Sequence, residues 1–485
     1  MKRLDHILTD ISLLQSHGGL DLLIENIHFD SRKVEIGDLF IAVRGTATDG
    51  HNYIAQAIKN GAVAVLCEEL PSELIPGITY GLVENTAHAL GIVAHNYYER
   101  PSEKIKLVGV TGTNGKTTVA TLLYQLFEGL GYHTGLLSTV ENKIGERIIP
   151  STHTTPDPIS LNQLLSDMLD EGCDYCFMEV SSHAIVQHRI SGLKFTGGIF
   201  TNISHDHLDF HLTFDNYIKA KKGFFDELPS TAFALTNIDD KNGMVMLQNT
   251  KAYKKTYGLK KLADYNAKII ESHFGGMLLN INKEEVWVKL VGDFNAHNLL
   301  AVYSTAMLLD QNNNKVLTVL SRLPGAEGRL ETLISPDGKI AIVDYAHTPD
   351  ALENVLSTIR QLRKGDSQII TVVGCGGDRD TSKRPVMASV AVELSDKVIL
   401  TSDNPRTEDP MKILQAMEAG IAADKRRKSF TISDRREAIR AACHLAQPND
   451  IILVAGKGHE TYQDIMGVKY LFDDREVLKE TFKEQ

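Results

Sequence analysis

At 485 residues the chain is too long for one hydrophobic core and fits about three domains. A hydrophobic fraction of 42% beside 23% charged residues excludes a disordered or fibrous chain. Against 51 Lys and Arg stand 62 Asp and Glu, a net charge of −11 with both signs interspersed, which argues against nonspecific binding to nucleic acid or to a membrane surface.

The first residues, "MKRLDHILTDISLLQSHGG", hold no unbroken apolar leader, and no run of about 18 apolar residues follows anywhere. A cytoplasmic protein is expected. Residues 1 to about 101 mix strand and helix, as in "GDLFIAVRGTATDGHNYIAQAIKNGA", and predict a small α/β domain that ends at Pro101. Five scattered cysteines, Cys67, Cys173, Cys176, Cys375 and Cys443, suit a reducing compartment. Cys173 and Cys176 have no second pair at zinc-ribbon spacing and read as buried small hydrophobes.

From residue 104 a pattern recurs: a short apolar β-rich run, a glycine-bearing or polar turn, then residues at helical spacing. It predicts parallel α/β architecture. "KIKLVGV" leads through a turn to the stripe Val119, Leu122, Leu123, Leu126, Phe127 and Leu130, with Gly129 and Gly131 expected to stop the helix. "YCFMEV", "GGIFTNI" and "TAFALTN" should join the same sheet. "LPGAEGRLE" reads as a linker, after which "KIAIVDYAHTPD", "QIITVVGCGGDRD", "KVILTSDNPR" and "DIILVAGKGHE" predict a second parallel sheet.

"GVTGTNGKTTVA", Gly109 to Ala120, lies between a strand and an amphipathic helix, where backbone N–H groups converge on phosphate oxygens. Lys116 would add a point charge on the terminal phosphates and Thr117 a hydroxyl for magnesium. The spacing departs from G-x-x-x-x-G-K-[ST], since Val110 stands where the first glycine would. Glu179 of "MEVSSH" should end a strand of the same sheet, where ligands gather. In "SHDHLDFH", His205 and His211 read as solvated or packed histidines.

In this order along the chain, "TGTNGKTT", "EVSSH", "DHLDFH", "GDFNAHN", "YAHTPD", "DNPR" and "GKGHE" together resemble the Mur ligases, ATP-dependent amino-acid ligases of peptidoglycan precursor synthesis. The resemblance implies a three-domain α/β architecture. Residues 1–101 would be a small α/β domain binding a UDP-sugar, 102–328 a P-loop-type ATPase domain with a mostly parallel sheet, and 329–485 a Rossmann-like domain binding the amino acid. It also implies an acyl phosphate made from ATP and attacked by an amine, with two Mg²⁺ ions around the transferred phosphate.

By the family pattern ATP would lie on Gly112, Thr113, Asn114, Gly115, Lys116, Thr117 and Thr118, with Asn298 reading adenine and Asp344 and His347 near the ribose. Thr117 and Glu179 would hold the first magnesium, Glu179 and His207 the second. Lys221, in the spacing Tyr217-x-x-Ala220-Lys221, matches the family lysine that CO₂ converts to a carbamate (N6-carboxylysine) facing magnesium. The catalytic set implied is Lys116, Glu179, His207 and Lys221. Ser31 would approach the uracil, and Thr154, Thr155, Ser181, Gln187 and Arg189 the sugar and peptide; Arg189 also suits a diphosphate or carboxylate by its fork of donors.

Within the family, "FDSRKVEIGDLFIAVRGTATDGHNYI" and "DNPR" are most similar to members that join meso-diaminopimelate to UDP-N-acetylmuramoyl-L-alanyl-D-glutamate. The diaminopimelate site implied comprises Arg379, Asp403, Asn404, Pro405, Arg406, Gly456 and Glu460. Arg406 would fork onto the distal carboxylate and Glu460 pair with the distal ammonium. L-lysine lacks that carboxylate, and a buried arginine left unpaired costs about 3–5 kcal/mol, so Arg406 should reject it. The plainer alternative has Arg406 tying its turn to Glu408 or Asp409. Rival functions are the same ligation with L-lysine, a folylpolyglutamate synthase and a nucleotide-dependent binding protein that is not a ligase. A monomer is expected, with neither nucleic-acid partners nor membrane insertion.

Overall fold

The computed structural model describes residues 1–45, 48–151, 153–206, 208–324 and 326–484, without the side chains of Leu208 and Asp209. His207 lies outside the described residues. Three large sheets follow one another along the chain, beside two two-stranded ones.

The first has the strand order Gln15–His17, Thr79–Leu82, Ala64–Cys67, Leu39–Ile41 and Ile27–His28, parallel except for the Gln15–His17 edge. Apolar side chains cover both faces, as a sheet flanked by the helices Ile54–Asn60 and Thr86–Tyr97 requires.

Parallel pairing joins Thr134–Leu137, Tyr175–Glu179, Lys106–Thr111, Gly197–Phe200, Phe233–Asn237, Tyr253–Gly258 and the start of Tyr265–His273 in the second sheet. The four runs expected to share it lie side by side. Antiparallel strands extend both edges, through Glu141–Ile144 and Arg147–Pro150 on one side and Gly276–Ile281 and Glu284–Val288 on the other. The register sets Glu179 opposite Val110 and Phe200 opposite Thr111, so these strand ends reach one edge.

The helix Lys116–Leu130 buries Val119, Leu122, Leu123, Leu126 and Phe127, the stripe read from the sequence. Gly131, at φ 95°, ends it. Gly129 does not: it lies inside the helix, where a Cβ would come within 2.6 Å of Val319, so its role is to admit the neighbouring helix Asn313–Leu320.

The third sheet runs Glu331–Ile334, Ile340–Asp344, Ile451–Ala455, Ile369–Val373, Lys397–Leu400 and Ser429–Thr431, antiparallel only at its first pair. Asp344 and Val373 both stand opposite Ala455, and Val373 opposite Leu400. Four turns therefore open along one edge, as parallel pairing demands.

Candidate active site

Gly112 and Gly115 shape the phosphate loop. Gly115 has φ 87°, and a Cβ on it would stand 2.6 Å from Asn298 Oδ1; one on Gly112 would stand 1.9 Å from Thr201 Oγ1. The strand-end residue Asn202 holds the loop from below: its carbonyl accepts from Thr113 N at 2.8 Å and its Oδ1 from Asn114 N at 3.0 Å. Lys116 Nζ donates to Gly112 O at 3.0 Å and Thr113 O at 2.9 Å, folded back onto its own loop.

Lys221 is 1% exposed and donates to the same Gly112 carbonyl at 2.8 Å, with its ammonium 4.5 Å from the Tyr217 ring centroid. Burial, then the nearby Lys116 charge, pushes its pKa well below the ordinary lysine value. Two lysines sharing one acceptor favour the neutral amine at the buried position.

Glu179, 1% exposed, accepts from Thr139 N at 2.7 Å through Oε1, while its buried Oε2 has no hydrogen-bond partner among the described residues. An orphaned buried carboxylate oxygen near the phosphate loop suits a hard cation. Thr117 Oγ1 accepts from Arg329 Nη2 at 3.4 Å. Among the described residues no group of three or more His, Cys, Asp or Glu is placed to hold a metal. Glu179 and Thr117 fit magnesium only in company with further ligands.

Around Glu179 gather the residues implied for the sugar and peptide. Thr155 Oγ1 donates to Glu179 O at 2.8 Å and accepts from Ser181 N, and Thr139 Oγ1 donates to Thr154 Oγ1. Arg189 is forked onto Gln187 Oε1 at 3.0 and 2.7 Å and donates to Thr155 O at 2.8 Å. Ser31 lies in the first sheet's surroundings, its carbonyl accepting from Asn60. His211 is buried against Ser182, whereas His205 is exposed and stacks on Phe214.

A cavity of about 270 Å³ separates the second sheet from the third. Asn114, Gly115, Thr118, Asn298 and Asp344 line it, whereas His347 is exposed and does not. Asp344 accepts from Leu330 N and Ala346 N at 2.7 and 2.8 Å, and burial raises its pKa. Among the lining residues that the sequence did not single out are Arg329, Asp350 and His297. Arg329 stands 4.5 Å over the Tyr345 ring, Asp350 accepts from Asn114 and Ser204, and His297 donates toward Asp239. Arg329 sat in a presumed linker, and only the quoted "YAHTPD" hinted at Asp350.

Tyr345 continues the wall toward "GKGHE", its ring 5.1 Å from that of His459. Beyond it, Asn404 Nδ2 donates to Glu460 Oε2 at 2.7 Å, and the fully buried Lys457 donates to Glu460 Oε2 and Asn404 Oδ1 at 3.0 and 3.1 Å. Lys457, absent from the sequence-based set, already neutralises part of Glu460. Arg406 holds a left-handed φ of 50°, and its Nη1 donates to Gly377 O at 2.6 Å. The carboxylates of Glu408 and Asp409 are engaged elsewhere: Glu408 pairs with Arg384 at 2.8 Å and Asp409 caps the helix Pro410–Glu418. A Cβ on Gly376 would stand 2.9 Å from Arg406 Nη1 and 4.0 Å from Arg379 Cγ. Asp403 and Pro405 are buried in the same turn, and a Cβ on Gly456 would lie 2.5 Å from Asp403 Oδ2.

All five cysteines are buried and free. Among the described residues no helix is long and apolar enough to cross a membrane.

Three family profiles match in series: "Mur ligase family, catalytic domain" over residues 23–98, "Mur ligase middle domain" over 110–306 and "Mur ligase, glutamate ligase domain" over 328–458. Proteins named UDP-N-acetylmuramoyl-L-alanyl-D-glutamate–2,6-diaminopimelate ligase are similar over nearly the whole length. The one from Bacteroides fragilis is 56% identical over 480 residues, covering 99% of each chain, and the one from Cytophaga hutchinsonii 58% over 471 residues, covering 97% of each. A solved structure bearing the same name aligns with 100% of this chain and 99% of its own at 32% identity and a TM-score of 0.71. With three profiles in order and relatives that match from end to end, the chain belongs to the Mur ligase family.

Proposed function

We propose that this chain is the ligase that joins meso-diaminopimelate to UDP-N-acetylmuramoyl-L-alanyl-D-glutamate at the expense of ATP, releasing ADP and phosphate, as a step of cytoplasmic peptidoglycan precursor synthesis. The observation that carries the reading is the continuity of one wall: phosphate loop, cavity, Tyr345, then the strand ends bearing Asn404, Arg406 and Glu460. One chain supplies all of it, so a monomer suffices. Functional boundaries near residues 101 and 328 divide the UDP-sugar, ATP and amino-acid parts.

ATP lies in the cavity with adenine at Asn298, the ribose at Asp344 and its phosphates at the helix start Lys116–Leu130. Lys116 leaves its own carbonyls for the phosphates, and Arg329 adds a second cation from across the cavity. The UDP portion reaches Ser31, while Thr154, Thr155, Ser181, Gln187 and Arg189 orient the dipeptide so that its free carboxylate attacks the γ-phosphorus. An O–P bond forms, the bond to ADP breaks, and an acyl phosphate results. The diaminopimelate amine then attacks the acyl carbon, phosphate leaves with the C–O bond electrons, and the amine loses a proton. Arg406 and Arg379 hold the distal carboxylate; Glu460 presents its remaining oxygen to the distal ammonium.

Thr117, Glu179, His207 and carbamylated Lys221 would hold two Mg²⁺, whose chemistry is to neutralise charge on the transferring phosphoryl group. Carbamylation joins the neutral Lys221 nitrogen to CO₂ with loss of one proton, which turns a cation into an anionic oxygen donor; its depressed pKa supports this.

The test is phosphate release by purified protein with ATP, Mg²⁺ and the UDP-dipeptide, adding meso-diaminopimelate, L-lysine or neither. Release that requires diaminopimelate is expected. Equal release with lysine discards the arginine argument, and release indifferent to any amino acid discards the ligase.

A further inference from the structure

Arg435 is the largest fully buried side chain among the described residues, and it is paired with the equally buried Asp474: Nε to Oδ1 at 2.8 Å, Nη2 to Oδ2 at 2.7 Å. The arginine is placed at a double disadvantage. Desolvating both charges offsets much of their attraction. As the first residue of the helix Arg435–Leu445, it also faces the positive end of that helix's dipole. What the guanidinium does with its other donors accounts for the placement. Nη2 donates to Ala455 O at 3.1 Å and Nη1 to Ser402 O at 3.5 Å.

Those carbonyls immediately precede Gly456 and Asp403. Their parent strands, Ile451–Ala455 and Lys397–Leu400, are not neighbours: Ile369–Val373 lies between them, so no ladder joins their ends. The guanidinium spans that gap. Across the same gap run the contacts of Asn404 with Glu460 and Lys457, which depend on the loops keeping their separation.

We propose that Arg435, held by Asp474, is a positioning residue for the amino-acid substrate, fixing the loop of Asn404 and Arg406 against the loop of Gly456 and Glu460 without touching the substrate. This rests on the amino-acid pocket assigned under the proposed function.

The decisive variant is Arg435→Met with Asp474→Leu, since replacing a buried pair by apolar groups of similar size commonly leaves a fold as stable or more so. Its melting temperature should match or exceed that of the parent, and its KM for ATP should stay within about twofold, while KM for meso-diaminopimelate rises about tenfold or more, because misplacement by about 1 Å is enough to weaken a site built on fixed geometry. Arg435→Lys keeps the charge but not the fork and should not rescue it. Should the double variant fail to fold, Asp474→Asn is read by the same split between the two KM values. An unchanged KM for the diamino acid in a folded variant, with Arg406→Ala impaired, overturns the clamp and leaves the pocket standing. An unchanged KM in Arg406→Ala as well removes the pocket reading itself.

Discussion

Asp350 Oδ2 accepts a hydrogen bond from Asn114 Nδ2 at 2.8 Å, tying the start of the helix Pro349–Leu362 to the phosphate loop across 236 positions of chain. Ser204 Oγ donates to the same oxygen at 3.0 Å. The carboxylate thus joins the two walls of the nucleotide cavity. A hydrogen bond to a charged group contributes about 1.5–3 kcal/mol, so Asp350→Ala should raise KM for ATP about tenfold or more and leave KM for diaminopimelate unchanged. Steady-state titration of ATP checks it, and an unaltered KM would refute the bridge.

Gly115 has no room for a side chain. Its φ of 87° disfavours any side chain, and a Cβ would press on Asn298 Oδ1 at 2.6 Å. Gly115→Ala should cost about 1–3 kcal/mol of stability and most of the nucleotide affinity. Calorimetric titration with ADP beside a urea melt reads both quantities; full affinity in the variant contradicts the geometry.

Arg406 has its backbone fixed on both sides, N–H to Asp464 O and carbonyl to Met466 N–H. Its side chain is therefore presented from a rigid frame. Arg406→Ala should lower kcat/KM for diaminopimelate by about tenfold or more, from the roughly 1.5–3 kcal/mol of a hydrogen bond to a charged group, with ATP binding intact. Competition between diaminopimelate and L-lysine measures it. Unchanged selectivity would dismiss the pocket assignment.

Lys221 should carry one CO₂. Protein equilibrated with ¹³C-bicarbonate is expected to show a single carbamate carbon resonance that Lys221→Met abolishes. A resonance that survives the substitution places the modification elsewhere.

His95 is 3% exposed beside Ser102, with Nε2 2.8 Å from Oγ, and burial followed by the Arg100 and Lys194 charges lowers its pKa from 6.5 to about 4. The unfolded chain therefore binds the proton more readily, and stability falls as pH drops from about 6.5 to about 4, by up to about 3 kcal/mol, then levels off for this group. Above pH 6.5 it contributes no slope. Urea midpoints at pH 7 and 4.5 should differ less in His95→Gln than in the parent, and equal slopes would refute the assignment.

The local parts of the molecule were legible in the residues. "KIKLVGVTGTNGKTT" and the stripe that follows it encode strand, turn and helix because an apolar run, the turn glycines Gly112 and Gly115 and apolar residues at helical spacing each act within a few residues of themselves. The four last apolar runs were likewise readable as parallel strands, and with them the shared edge that presents Arg406. Seven short motifs in order pointed to the family.

Tertiary structure alone decided the rest. Gly129 looks like a helix stop until Val319 is seen to need its space. Arg329 looks like linker until it reaches Thr117, and Lys457 like a motif spacer until it is buried between Asn404 and Glu460. Arg435 and Asp474 lie 39 positions apart, with no local pattern to pair them. The physical reason is the same in each case: propensity and periodicity act over one or two turns of chain, whereas these contacts depend on strand order, and strand order is settled only when the whole sheet has buried its two faces.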